Sequence, residues 1–459
     1  MVSLIDLAVI VVYLILTLAI VIKISRKETV EDFFVNNRNT RTIFLVFSIV
    51  STSVGAGAVI GTAGAAYKTG LSFGISTIIT VISGLVLLAL TAPKIKSFGD
   101  KYKAYTIGDF FGIRFSNRSR MLVSGLTIIA FFVFTGAQFV AIASLVNVLI
   151  GLDFTIALVF AAVFTIAYTA IGGLKGDIYT DFIQFLVMVV AFFGALLPFG
   201  ILKFGLPTNL PATHFDLFAY AGPVFFFGSI FLGGLYLLAS MDWWQRIYSS
   251  QNPKQARRIF SYSALVAIPF YLLPIGLGLL AFSALGPGLD PDTVLFAMME
   301  KALPVGLLGL GYAGILAAVM SSVDSTIVVS TASALQDFYK RRLNPRATDK
   351  QTLKYARVFA VIFGLAGLVT AYIWSDIVEL VLLAVFIIIT LVPTLISGMV
   401  WKKTTEKAAF FSILLSFLVL LVFLPIAPKI AWAPSLIVGI LTVLIGSKLT
   451  KHSESETIL

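Results

Sequence analysis

The chain has 459 residues, 59% of them hydrophobic and 12% charged, and a mean hydropathy of +1.01. Soluble domains carry roughly 25% charged residues, so this apolar excess has no aqueous core to fill and places the chain in a lipid bilayer as an all-α membrane protein. Zero cysteines exclude disulfides, thiolate metal sites and cysteine nucleophiles, and only two histidines, His214 and His452, exclude a histidine-rich metal or acid–base centre.

An apolar window of about 19 residues predicts thirteen membrane helices, near 3–24, 43–67, 71–93, 122–150, 154–173, 178–202, 223–245, 259–286, 304–333, 353–373, 376–400, 406–425 and 431–449. Most are close to the roughly 20 residues that cross a bilayer. The first is not a cleaved signal peptide: no Lys or Arg precedes it, its apolar run is too long, and Lys23, Arg26 and Lys27 follow it. An odd number of spans puts the termini on opposite sides. With the C-terminus inside, 29 of the 33 basic residues fall in cytoplasmic segments, Lys175 and the four of 246–258 among them, and Lys68, Lys203, Lys301 and Lys429 fall outside. The asymmetry accounts for the net charge of +11. A nucleic-acid partner would need a basic face on a soluble module, and no segment between spans is long enough to form one.

Glycine interrupts two spans in corresponding places. The second reads STSVGAGAVIG, with Gly55, Gly57 and Gly61, and the seventh reads FFFGSIFLGGLYLLASMD, with Gly228, Gly233 and Gly234. Gly-interrupted spans in corresponding positions of two halves point to a transporter's binding site, because unwound backbone offers carbonyls and helix ends to a ligand. Five helices counted from each give blocks 43–203 and 223–400, the second inverted because each block has an odd number of spans.

Ionisable residues inside spans are costly and usually functional, and here they are Asp181, Asp324 and Glu379. Asp6, Asp153 and Asp242 fall near span ends, where solvation is expected to satisfy them. In the ninth span Ala318, Ser321, Ser322 and Ser325 fall at i, i+3, i+4 and i+7, on one helical face. Such a stripe serves either as packing glue between helices or as hydroxyl ligands for a small cation. The unwound stretch from Ser51 to Gly57 is placed to add carbonyls.

Six segments in order, STSVGAGAVIG, YTIGDFFGIRFSNRSR, GGLKGDIYTDFIQ, WWQRIYSSQNPKQARR, AAVMSSVDSTIVVSTASALQDFY and MVWKKTTEKAAF, resemble the sodium:solute symporter family of sodium/glucose, sodium/proline, sodium/pantothenate and sodium/sialic acid cotransporters. The resemblance covers nearly the whole chain. It implies a LeuT-like inverted repeat: an extra helix and loop over 1–42, a first five-helix repeat over 43–203, an external loop over 204–222, a second repeat over 223–401, and two C-terminal helices with a short tail over 402–459. It implies a sodium site on the carbonyls of Ser51, Val54 and Ala318 and the hydroxyls of Ser321 and Ser322. A second cation site, present in some members, would involve Asp181, Ser321, Asp324 and Ser325, with the two carboxylates close together and able to strengthen a cation site or take up a proton. The substrate pocket maps to Ser53, Ala58, Thr77, Gln138, Tyr236 and Leu237, which look too apolar for a hexose and suit a small solute with one polar end, such as proline or a short carboxylate.

The expectation is therefore a monomeric, sodium-driven symporter of a small organic solute in a prokaryotic inner or plasma membrane, with sodium as the coupling ion and no other cofactor. Two alternatives stay open: coupling to protons through Asp181 and Asp324, and a sensory module that binds a solute without moving it. The tail KLTKHSESETIL offers no signalling domain, and the shortage of His, Cys and paired water-facing carboxylates argues against an enzyme.

Overall fold

The computed structural model describes residues 2–25 and 29–450. Arg26, Lys27, His452 and the tail from position 451 lie outside the described residues. The described residues are predominantly helical, and the β-structure among them is one isolated bridge between Thr40 and Ser250.

The N-terminal helix α1 (Leu4–Ser25) and the short α2 (Val30–Val35) precede α3 (Thr42–Ser53). A break at Val54–Gly55 and a π-helical turn, Gly57–Gly61, separate α3 from α4 (Thr62–Thr69), and the two arms are bent by 56°. Next come α5 (Leu71–Tyr102), α6 (Ile107–Arg114) and α7 (Asn117–Ile150). Helix α8 (Phe154–Met188) runs through a π segment, Val189–Leu196, into α9 (Leu197–Phe204).

The second interrupted region is made of α10 (Gly222–Gly228), a π turn at Ser229–Gly233, α11 (Gly234–Ala239) and α12 (Met241–Ser249), with extended backbone at Ser240. It leads to α13 (Pro253–Leu285), α14 (Val294–Ala302) and α15 (Leu307–Ser333), which continues in a π segment, Ala334–Leu343. The chain closes with α16 (Asp349–Ile373), α17 (Ile377–Ile389), α18 (Val392–Val400), α19 (Glu406–Phe423) and α20 (Trp432–Leu449).

Among the described residues ten helices are long and apolar enough to cross a bilayer, eleven with the bent pair α3–α4, against the thirteen windows predicted. The difference has two causes. Windows 154–173 and 178–202 form one helical run of 51 residues, Phe154–Phe204, interrupted at Gly173, whose φ of 50° and ψ of −167° are open to glycine and strained for other residues. Window 223–245 is cut by its glycines and by Ser240 into pieces too short to qualify alone.

The apolar stretch of α15 is wholly buried, so this helix forms the axis of the molecule, against α7, α8 and α1. Its N-terminus is capped from another helix: Asp6 Oδ1 of α1 accepts the amides of Gly306 at 2.7 Å and Gly309 at 2.8 Å. A carboxylate at the positive end of a helix is favourable, and a Cβ on Gly309 would lie 2.5 Å from the Asp6 backbone. Asp6, expected to be solvated, is thus fully buried and ties the extra helix to α15. Asp153 behaves as expected, exposed and capping the first turn of α8. Glu379, expected inside a span, is exposed in the first turn of α17 and accepts from Trp374 Nε1 at 2.8 Å.

Candidate ion and solute site

The break after α3 faces the serine stripe of α15. Ser321 Oγ donates to the carbonyl of Ser51 or Ala318, each 2.9 Å away, and Ser322 Oγ donates to Thr52 O at 2.8 Å with Ala318 O at 3.3 Å. Val54 caps α3 with non-helical torsions, φ −97° and ψ 53°. The approach is close because Gly55 has no side chain: a Cβ there would lie 2.3 Å from Ser322 Oγ. Gln138 of α7 completes the break by accepting the Ala56 amide at 2.9 Å. Ser51, Ala318, Ser321 and Ser322 are therefore together, as carbonyls and hydroxyls with no charged side chain among them. Hard oxygen donors of this kind suit a small monovalent cation.

Beside this cluster lies a buried charge network whose centre sequence reasoning missed. Arg246 of α12, counted from sequence among cytoplasmic loop residues, is fully buried. Its Nη2 pairs with Asp177 Oδ2 at 3.1 Å and Asp181 Oδ2 at 3.2 Å, both carboxylates also fully buried. Its guanidinium also donates to the hydroxyls of Ser48 at 3.0 Å, Thr52 at 2.6 Å and Ser325 at 2.8 Å. Ser48 and Thr52 pass hydrogen bonds on to Asp181 at 2.6 and 3.1 Å, and Ser325 passes one to Asp177 at 2.9 Å. The network joins α3, α8, α12 and α15 where all four meet. Asp242, expected at a solvated span end, is buried beside Arg246 and accepts from Ser240 Oγ at 2.6 Å.

This arrangement divides the predicted second cation site. Asp181 and Ser325 meet at Arg246, which already supplies a positive charge there, and Ser321 turns its hydroxyl to backbone carbonyls. Asp324, expected beside Asp181, faces elsewhere, into a small buried space lined by Tyr168, Thr169 and Asp177 of α8. Helical geometry explains the split, since Asp324 is one residue from Ser325 and so about 100° round α15 from it. Arg246 stands two residues after a Trp-Trp pair in a segment rich in basic residues, so its sequence reads as a loop. Its contact with Asp177 spans 69 residues of chain.

All six predicted solute-contacting residues line two adjoining cavities, of about 150 and 110 Å³, between the interrupted regions. Ser53, Ala58 and Tyr236 line both, Thr77 the larger, and Gln138 and Leu237 the smaller. The larger has no charged side chain in its wall, which is closed by Phe225, Phe386 and Trp432. Trp432 comes from the last helix and sits so close to α10 that a Cβ on Gly228 would lie 2.1 Å from its ring. Tyr271 of α13 donates to Ser53 O at 2.5 Å, holding the end of α3. Every residue of α12 below the cavities is buried.

A sequence model of the sodium:solute symporter family matches residues 33–214 and 218–416. The chain belongs to the sodium:solute symporter family. Members of this family are transporters rather than enzymes, and sodium is their coupling ion. The chain is 25% identical to a sodium/pantothenate symporter of Haemophilus influenzae, over 95% of this chain and 94% of that protein. It is 26% identical to the high-affinity proline transporter PutP of Bacillus subtilis, over 76% of each. Among solved structures, a Na+-coupled sialic acid symporter in a substrate-bound, outward-open state superposes with a TM-score of 0.83 at 20% identity, covering 99% of both chains. A nucleobase-cation-symport-1 family transporter in a closed conformation superposes at 0.59, with 11% identity, over 92% of this chain and 96% of that one. The family member described here thus has the LeuT-like transporter fold.

Proposed function

We propose that the protein is a secondary active symporter in which the inward sodium gradient drives uptake of a small organic acid or amino acid by alternating access. The observation that carries this reading is the convergence of the Ser51 and Ala318 carbonyls and the Ser321 and Ser322 hydroxyls at the break between α3 and α4, beside a solute-sized cavity. Sodium there, with the carbonyl of Val54 as a further ligand, would bridge a broken helix and the axial helix. By linkage, sodium and solute would raise each other's affinity equally.

The larger cavity offers serine and threonine hydroxyls and apolar walls, and no carboxylate or guanidinium to pair with the many hydroxyls of a hexose. Unpaired buried polar groups are expensive. Proline, pantothenate and sialic acid, named in the relatives and the structural neighbour, each carry a carboxylate, and a solute of one carboxylate and a compact body suits this chamber.

In this reading the 51-residue run counts as two spans divided at Gly173, and α10 to α12 count as one interrupted span. Added to the eleven, these give thirteen, with the N-terminus outside, the C-terminus inside, and two inverted five-helix repeats over 43–203 and 223–401. The transporter acts as a monomer in a prokaryotic inner or plasma membrane.

The test is uptake by purified protein in liposomes, comparing labelled proline, other amino acids, short carboxylates and glucose with and without an inward sodium gradient. Sodium-stimulated accumulation of a carboxylate-bearing solute is expected, and Ser321→Ala with Ser322→Ala raises the sodium concentration required. Uptake indifferent to sodium refutes the coupling, and unchanged sodium dependence in the double variant refutes the site.

A further inference from the structure

A groove between α18 and α20 belongs to neither the ion site nor the solute cavities. Its volume is about 350 Å³, against about 150 Å³ for the larger solute cavity. Leu235 of α11 joins the lining, which among the described residues is apolar but for Ser397 and the indole of Trp401. The Ser397 hydroxyl is already spent on Thr394 O at 3.0 Å. Helix α20 is held against α18 where a Cβ on Gly439 would lie 2.9 Å from the Pro393 ring, and against α19 where one on Gly446 would lie 3.1 Å from Ala408 Cβ. Its C-terminal half therefore follows α19 and leaves the groove open beside α18.

The groove ends among cations. Leu436, Ile440, Val443 and Leu444 share one face of α20, and that face reaches Lys448 four residues on, about 6 Å further along. Lys402 and Lys403 follow Trp401 at the end of α18. The hydroxyls of Thr405 and Thr450 are hydrogen-bonded, so the loop carrying these two lysines lies against the end of α20. All three lysines are exposed, and none has an ion pair among the described residues. Nor are they needed to cap α18: Arg114 of α6 donates to the carbonyls of Gly398, Trp401 and Lys402 at 3.2, 3.1 and 3.2 Å. Glu406 is the only acidic residue from 401 to 450.

We propose that the groove holds one acyl chain of an anionic phospholipid whose phosphate rests on Lys402, Lys403 and Lys448. From Leu436 to Leu444 the lining is about 12 Å long, comparable with one leaflet of a hydrocarbon core about 30 Å thick, which puts the lysines at headgroup level. A peptide would need hydrogen bonds that this lining does not offer, whereas an acyl chain needs none. Unpaired ammonium groups beside a bilayer select an anionic headgroup over a zwitterionic one. In the orientation proposed above the leaflet is the cytoplasmic one, and the binding itself does not depend on the symporter reading. Leu235 precedes Tyr236, which lines both solute cavities, so the bound chain touches the second interrupted region.

The experiment is native mass spectrometry of the purified full-length protein, delipidated and titrated with dioleoyl-phosphatidylglycerol or dioleoyl-phosphatidylcholine. The wild type is expected to hold one phosphatidylglycerol per chain about tenfold more tightly than phosphatidylcholine. Lys402→Gln, Lys403→Gln and Lys448→Gln together should remove that preference. Ile440→Trp, which places a ring in the groove from an exposed position, should weaken both lipids. Lys448→Gln alone, expected to weaken phosphatidylglycerol about fivefold, serves if the triple variant does not fold. Equal binding of the two lipids by the wild type overturns the proposal, as does an unchanged phosphatidylglycerol affinity in the folded lysine variant or in folded Ile440→Trp. A dimer that retains no lipid and is broken by Ile440→Trp overturns it too, and gives the groove to a second copy of the chain. Lipid counts are read without transport, so a protein that holds phosphatidylglycerol but shows no sodium-stimulated uptake would sink the symporter reading and leave this site standing.

Discussion

Gly55→Ala is the most direct probe of the link between the broken helix and the serine stripe. The backbone at Gly55 has a φ open to any residue, so the effect of a methyl group is steric. The added Cβ would lie 2.3 Å from Ser322 Oγ, 2.9 Å from Ser322 Cβ and 3.1 Å from Gln138 Oε1, the first two closer than real Cβ contacts come. Ser322 must therefore turn or withdraw, giving up its 2.8 Å hydrogen bond to Thr52 O. That bond is worth about 1 kcal/mol, and overpacking a tight core adds about 1–3 kcal/mol. If only about 1.4 kcal/mol of this appears in ion binding, the half-saturating sodium concentration rises about tenfold. The assay is initial-rate uptake in liposomes against external sodium, alongside equilibrium sodium binding. Gly125→Ala, where a Cβ meets nothing within 4 Å, is the control and should change neither. A folded Gly55→Ala protein with wild-type sodium dependence would refute the argument that Ser322 must sit where it does for sodium to bind.

Three further outcomes follow from other contacts. Arg246→Gln leaves Asp177 and Asp181 buried without their cation, a loss of about 3–5 kcal/mol; its thermal midpoint should drop clearly below that of the wild type, and adding Asp177→Asn should recover part of the drop. Tyr271→Phe removes the 2.5 Å hydrogen bond to Ser53 O, worth about 1–1.5 kcal/mol, so the half-saturating solute concentration should rise roughly tenfold, and an unchanged value would separate Tyr271 from the solute cavity. Asp292, in the loop before α14, has its pKa raised to about 7 by burial first and then by Asp376 and Asp290. A carboxyl raised in the native state contributes stability in full below its unfolded value and loses it as pH rises through about 7. Hydrogen exchange in residues 286–293 should therefore be slower, after correction for intrinsic rates, at pH near 6 than near 8, and Asp292→Asn should abolish the difference.

The bilayer location, the sequence of spans and the two glycine breaks were legible in the chain because each is local: hydropathy over a window, glycine where backbone must unwind, and a 3.6-residue period that puts Ala318, Ser321, Ser322 and Ser325 on one face. The six positions predicted to contact solute came from family resemblance, and the structure brings them around two adjoining cavities. Span counting was less secure, since Gly173 interrupts a run that apolar windows read as two helices, and α10 to α12 are apolar together but short apart.

What only the tertiary structure decided is which charges meet. Composition and span rules marked Asp181 and Asp324 as costly, but whether they share a ligand depends on side-chain direction around α8 and α15, which sends Asp181 to Arg246 and Asp324 to a small buried cavity. Arg246 itself reads as a loop residue beside other basic side chains until α12 is folded under the cavities and buried. Trp432, 204 residues after Gly228, reaches the larger cavity because α10 leaves room for its ring. Local propensity determines helices and their interruptions, and the pairing of buried charges across 65 to 69 residues of chain is settled by packing, where each carboxylate must find a cation or a proton in a medium without water.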